Sequence, residues 1–180
     1  MAAASAPKQQ RKKRQRKPKH VRLTRAFCFA MDVKPAAAAK LFQAIETLRA
    51  LRNDLAVLLR QDREANRARR AAGADTAYLG LTELCEIIKA RAAHDPALAA
   101  IHSQVRQNVA QRLLEGTRRW LEALAEGDRA VRPPKPKPLK KHRSLCYPQH
   151  GNGARISGGK VFLSGFALGS RQAAPALRDG

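Results

Sequence analysis

Aromatic residues make up only 4% of this 180-residue chain, and 14 carboxylates face 36 lysines and arginines. The first scarcity excludes an interior built on large rings, so any core must be aliphatic, and it leaves few rings for stacking on exposed bases: Tyr78, Trp120 and Tyr147. The second leaves no convincing set of acids for two-metal phosphodiester chemistry, because most of them sit beside arginines on helical faces. Cysteine is scarce too. Cys28, Cys85 and Cys146 are odd in number and far apart, which implies no disulfide framework and a reducing cytoplasm. Cys85 reads as a small buried thiol among apolar neighbours. The first residues carry no apolar stretch of signal-peptide length, and no run approaches the ~18 apolar residues of a membrane span. A soluble, intracellular chain without a membrane partner is expected.

What is present is charge of one sign. A formal net charge of +22 repels itself unless a polyanion is close, and nucleic acid is the commonest such partner of a soluble protein. RNA and/or DNA is therefore the expected partner and the nucleoid the expected place. An anionic membrane surface is the competing reading. The length suits one domain with a small second element.

Residues 1–20 hold Lys8, Arg11, Lys12, Lys13, Arg14, Arg16, Lys17 and Lys19 without apolar periodicity, which predicts a disordered basic arm. Alternation over 21–31 predicts a half-buried strand, within a first β-element at 21–34. A helical block is then predicted over 35–126. Its first helix, 35–70, opens at Pro35, lines Leu41, Ile45, Leu48, Leu55 and Leu59 on one face, and steps Arg52, Arg60, Arg63, Arg67 and Arg70 along another. A break at 72–76 precedes a helix at 81–92 with Leu81, Leu84, Ile87 and Ile88 inward. The main helix starts at Asp95 and Pro96, with Asp95 as its cap. Along it Ile101, Val105, Val109, Leu113, Gly116, Trp120 and Leu124 form one apolar stripe, opposite Gln104, Arg106, Asn108, Arg112, Arg118 and Arg119.

Prolines at 133, 134, 136 and 138 then forbid helix and favour an extended, cationic strap over 127–143, with Lys135, Lys137, Lys140, Lys141 and Arg143. Strands return over 144–173, where residues 154–157 and 160–163 flank Gly158 and Gly159, a pair suited to a tight hairpin turn; a tail of 174–180 follows. Strand, helices, strap and strands in that order predict an α+β fold in which the first strand pairs with the later ones.

Two further chemical motifs fail. His142, Cys146 and His150 are spaced by four, but Pro148 opposes a helix and no fourth metal ligand follows. Residues 154–161 lack the first glycine of a phosphate loop, and Val161 stands where its Ser or Thr belongs. Serine-nucleophile motifs and paired cysteine ligands are missing as well. No metal, no cofactor and no catalytic residue is expected.

The order of these pieces resembles the N-terminal portion of TnpB-like transposases and their relatives, the type V CRISPR effectors. Arg49, Arg52 and Asn53 stand where that family has an Arg-to-Asn step. Ser103, Gln104 and Gln107, followed by Leu113 and Trp120, are similar to the helix after its variable segment. Pro138 through Ser144, then Tyr147 and Pro148, resembles the strap that leads into its strands. Lys34-Pro35 replaces the family's Tyr-Pro, and Pro133, Pro134, Lys135, Pro136 and Lys137 replace its glycine-led aromatic strap. The resemblance implies a wedge-like β-barrel interrupted by a helical recognition block, a module that grips guide RNA and target DNA. The family's RuvC-like nuclease half and zinc ribbon have no counterpart here, so no cleavage by this chain alone is expected. Such a chain would be a truncated product, a stand-alone binder, or one part of a split RNA-guided nuclease with a separate nuclease-bearing chain. The competing class is a basic RNA-packing protein of the ribosomal kind; a purely helical adaptor explains the amphipathic faces but not the charge.

Overall fold

The computed structural model describes residues 33–142, 144–149, 151–157 and 160–164. The predicted arm, the first β-element up to residue 32, Arg143, His150, the Gly158-Gly159 pair and the residues after 164 lie outside the described residues. Within them the molecule is mostly helical with one small antiparallel sheet, an α+β arrangement.

Helix α1, Pro35–Ala71, starts on a proline whose missing N–H costs nothing in the first turn. It runs 37 residues and buries Leu48, Leu51, Leu55, Ala56 and Leu59. Phe42 is 70% exposed, whereas Ala37 and Ala44, on another face of the same opening turns, are buried. Helix α2, Leu81–His94, begins where the Glu83 side chain reaches back to accept the Gly80 N–H at 2.9 Å. It buries Leu84 and Ile88, whereas Leu81, expected inward, is exposed. α2 runs back along α1: Leu79, at its start, lies by Asp62, and Arg91, near its end, pairs with Asp54 at 2.8 Å.

The expected main helix is two helices. Asp95 does cap, its carboxylate accepting the Ala97 and Leu98 N–H groups at 2.9 and 3.1 Å. The first piece, α3, ends after Pro96–Ala99, and α4 spans Ser103–Ala125. No Gly or Pro marks this break. Leu98 and Ile101 both enter the core, and the extended backbone of His102 between them and α4 sets the new direction. α4 then runs parallel to α1, with Val105 near Leu48 at one end and Trp120 against Arg63 at the other. The seam buries Val105, Ala110 and Leu113, but of the later predicted stripe Trp120 is only half-buried and Leu124 is 48% exposed.

α4 stops at Gly127, whose φ of +81° lets the Asp128 N–H return to the Ala123 carbonyl at 2.8 Å. The chain then travels back beside α4 as the predicted strap, interrupted by a single 3₁₀ turn, Leu139–Lys141. Pro134 crosses α4 at Gly116, where an added Cβ would sit 3.3 Å from its ring. Glycine there costs roughly 1 kcal/mol of helix propensity and admits the strap. Strands β1, Ala154–Ser157, and β2, Lys160–Leu163, pair antiparallel, with Ser157 opposite Lys160 and Ala154 opposite Leu163. The register fits a two-residue connection. The stem is tied to α4. Gln104 donates to Gln149 at 2.7 Å, Tyr147 donates to the Ser164 carbonyl, and Gly153, at φ +86°, abuts the His102 ring, which a Cβ would meet at 2.9 Å. Among the described residues the sheet is a two-stranded hairpin; the expected pairing with the strand at 21–31 lies outside them.

Candidate nucleic-acid interface

The strap encloses a cleft of about 380 Å³ against α1 and α4. Its floor is apolar, with Leu48, Val105, Val109 and Leu113. Around that floor stand six cations: Arg52 from α1, Arg112 and Arg119 from α4, and Arg132, Lys137 and Lys141 from the strap. Asn108, His142 and Ser144 add polar groups, and no carboxylate among the described residues lines the cleft. Glu46, whose carboxylate feels the charge of His142, is already engaged by Arg49, a pairing that holds the carboxylate below its ordinary range and the guanidinium above its own.

Two side chains fix the strap by its backbone. Asn53 donates to the Lys137 carbonyl at 3.0 Å and accepts the Lys137 N–H at 2.8 Å, pairing the peptide as a neighbouring strand would. Arg52 donates to the Lys135 carbonyl at 2.8 Å. A proline-rich segment has few N–H groups with which to secure itself, so side-chain amides supply the missing partners. The lysines of the same residues are left to other uses. Lys137 sits where burial and the charges of Arg52 and Arg112 push its ammonium down, and burial does the same to Arg52.

His142 stands among the same charges. Burial, then Arg52, Lys137, Arg49 and Arg112, lower its affinity for a proton, and its Nε2 is buried without a hydrogen-bond partner. A neutral imidazole ringed by cations is a site that lacks negative charge.

On the opposite flank of α4 lies a wider groove of about 1050 Å³, floored by Leu59, Leu79, Leu114 and Leu121. Arg63 lies over the Trp120 ring with its Cζ 4.8 Å from the centroid, and burial lowers its pKa first, Arg60 second. Arg60, Arg67 and Arg118 stand on the rim beside Asp62, Glu64 and Glu115. One wall is the loop at 72–80, held by Asn66. Fully buried in mid-helix, Asn66 donates to the Asp62 and Ala77 carbonyls, both at 2.9 Å, and accepts the Ala77 N–H at 2.9 Å.

The residues expected to meet nucleic acid therefore separate. Arg52, Asn108, Arg112, Arg119, Lys137 and Lys141 converge on the strap cleft; Lys135 and Lys140 are exposed along the strap. Asn53 is committed to the strap backbone, Gln104 to Gln149 and Arg49 to Glu46. Arg60, Arg63 and Arg67 belong to the other flank. Arg106 is half-buried, with Nε and Nη1 enclosed and unpartnered. Arg11, Lys12, Lys13, Arg14, Arg16, Lys17 and Arg143 lie outside the described residues. Sequence reasoning placed Arg132, His142 and Ser144 on the strap but gave none of them a nucleic-acid contact, because none carries a periodic signal. Among the described residues no group of three or more His, Cys, Asp or Glu side chains is placed to hold a metal ion, and no helix is long and apolar enough to cross a membrane. No protein-family model, curated protein or solved structure matches the chain.

Proposed function

We propose that this chain is a nucleic-acid-binding module that grips phosphates in the cleft between α4 and the strap. The observation that carries the reading is the convergence of six cations from three chain segments on one cleft without a lining carboxylate. Like charges so arranged repel one another, and an anion converts that repulsion into attraction. Phosphate contacts of this kind give affinity and orientation with little sequence preference. In its finer form the module is the wedge and helical block of a TnpB-like transposase, holding guide RNA and the target duplex. The order of helices, proline-rich strap and hairpin supports that form. Binding, with no cleavage by this chain alone, is the activity proposed.

The test is the salt dependence of affinity. Log affinity should fall linearly with log salt, losing about 0.7–0.9 of slope for each phosphate contact removed. Replacing Arg112, Lys137 and Lys141 with alanine should flatten the slope by about 2 to 3. An unchanged slope removes the cleft from the interface. Sequencing the nucleic acid that co-purifies from the host at moderate salt tests the finer form. One dominant small RNA supports it, and ribosomal RNA or a mixture that washes away with salt replaces it with general packing.

A further inference from the structure

We propose that the strap cleft is a receptor for a terminal phosphate group, a phosphomonoester or polyphosphate bearing two or more charges, and not for an internal phosphodiester. The inference rests on the phosphate-binding reading above and concerns the same cleft. Internal phosphates lie along a line, and proteins meet them with stripes of cations that track the backbone. Here the cations surround a single cavity of about 380 Å³, a size suited to a small ligand or the end of a chain and too short to follow one.

Charge argues the same way. An internal diester brings one negative charge, whereas a monoester brings about 1.5 to 2 at neutral pH and three acceptor oxygens. Arg112 approaches from α4 and Lys137 and Lys141 from the strap, so cations on two sides of the cleft can bind several oxygens of one group. The Ser144 hydroxyl adds a donor that one diester oxygen pair would leave unused. Because Arg52 and Asn53 hold the strap by its backbone, the cavity exists before any ligand arrives, and binding costs little ordering.

The same chemistry could come from the end of a nucleic acid or from a free nucleotide, and the experiment separates them. Four fluorescent oligonucleotides of one sequence, with a 5′-phosphate, a 3′-phosphate, both or neither, are titrated by anisotropy at fixed salt against the full chain. Pyrophosphate and a nucleoside triphosphate serve as competitors. The expected result is about tenfold tighter binding of a phosphorylated end, the gain of a charge-assisted hydrogen bond or more. Lys141→Gln, on an exposed side chain, should abolish the difference, as should Arg112→Gln. Displacement of the end only by other phosphorylated ends assigns the nucleic-acid source. Tighter binding of the free triphosphate assigns the nucleotide source. Equal affinity for all four oligonucleotides, with a steep salt slope retained, overturns the terminal-phosphate proposal and leaves backbone binding standing. Triphosphate binding without any oligonucleotide binding does the reverse: it removes the nucleic-acid reading and keeps this one. Binding of neither removes both.

Discussion

The two flanks of α4 use arginine in opposite ways. On the strap flank, Arg112 and Arg119 face a cleft lined by no carboxylate of the described residues, and neither pairs with an acid among them. On the other flank, Arg118 pairs with Glu122 at 3.5 Å, and the Arg63 guanidinium sits over the Trp120 ring. The second groove is nearly three times the volume of the first, about 1050 against 380 Å³, yet it presents mixed charge above an aliphatic floor. An arginine ridge on a helix is therefore not one thing. Whether it binds an anion depends on what its neighbours have already supplied, a ring and a carboxylate on one side and only more cations on the other.

The largest expected effect strikes both flanks together. Leu55 is fully buried where α1 meets the other helices, and both grooves are built on α1 and α4. Leu55→Ala should cost about 2–5 kcal/mol in urea denaturation, through lost burial and the cavity left behind. Salt-sensitive binding should decline in step with the folded fraction. Binding that persists after the helices have unfolded would show that the cleft does not depend on this scaffold.

A smaller effect should separate the flanks. Asn53 and Asn66 lie 13 positions apart on α1, and each pairs with both backbone groups of a distant residue, Lys137 for one and Ala77 for the other. Replacing either with alanine removes a pair of side-chain-to-backbone hydrogen bonds, exposed at Lys137 and part-buried at Ala77, and should cost about 0.5–1.5 kcal/mol per bond, more for Asn66 than for Asn53. The functional consequences should differ. Asn53→Ala frees the strap, so proteolysis within 127–142 accelerates and the salt slope flattens. Asn66→Ala frees the 72–80 loop on the far flank, leaving that slope as it was. If the two variants change the slope equally, the flanks are coupled and the contrast drawn between them dissolves.

The sequence made much of the frame legible, because its signals are local. Pro35 and Asp95-Pro96 mark helix starts by their own covalent and capping chemistry, the prolines of the strap exclude helix, and the hairpin strands fall where the alternation places them. The α3–α4 break was not legible. It depends on Leu98 and Ile101 finding the same core, and no residue at 100–102 announces it. Asn53 illustrates a subtler limit. A polar residue on a helix between arginines looks like part of a nucleic-acid surface until the strap, more than 80 residues later, arrives to use it. His142 is similar: its position between Lys141 and Arg143 gives no hint that Arg52 and Arg112, from other segments, will set its charge state.

That charge state gives the smallest effect and confines it to the strap flank. The groups facing His142 are Arg49 and Arg52 from α1, Arg112 from α4 and Lys137 from the strap, with Glu46 as the one carboxylate acting on it. Burial and these cations keep the folded imidazole neutral to lower pH than an unfolded one. Below the ordinary histidine pKa of about 6.5 the unfolded chain thus binds a proton that the folded chain refuses. Stability should fall as pH drops through that value and stop falling once the folded ring also protonates. His142→Gln should flatten this part of a Tm-against-pH curve between about pH 7.5 and 5.5. A terminal phosphate in the cleft should flatten it too, because two negative charges beside the ring restore its affinity for the proton. Arg63 and Trp120 on the other flank have nothing that titrates there, so Trp120→Leu should leave the curve's shape unchanged. An equal change from both substitutions would place the proton elsewhere in the molecule.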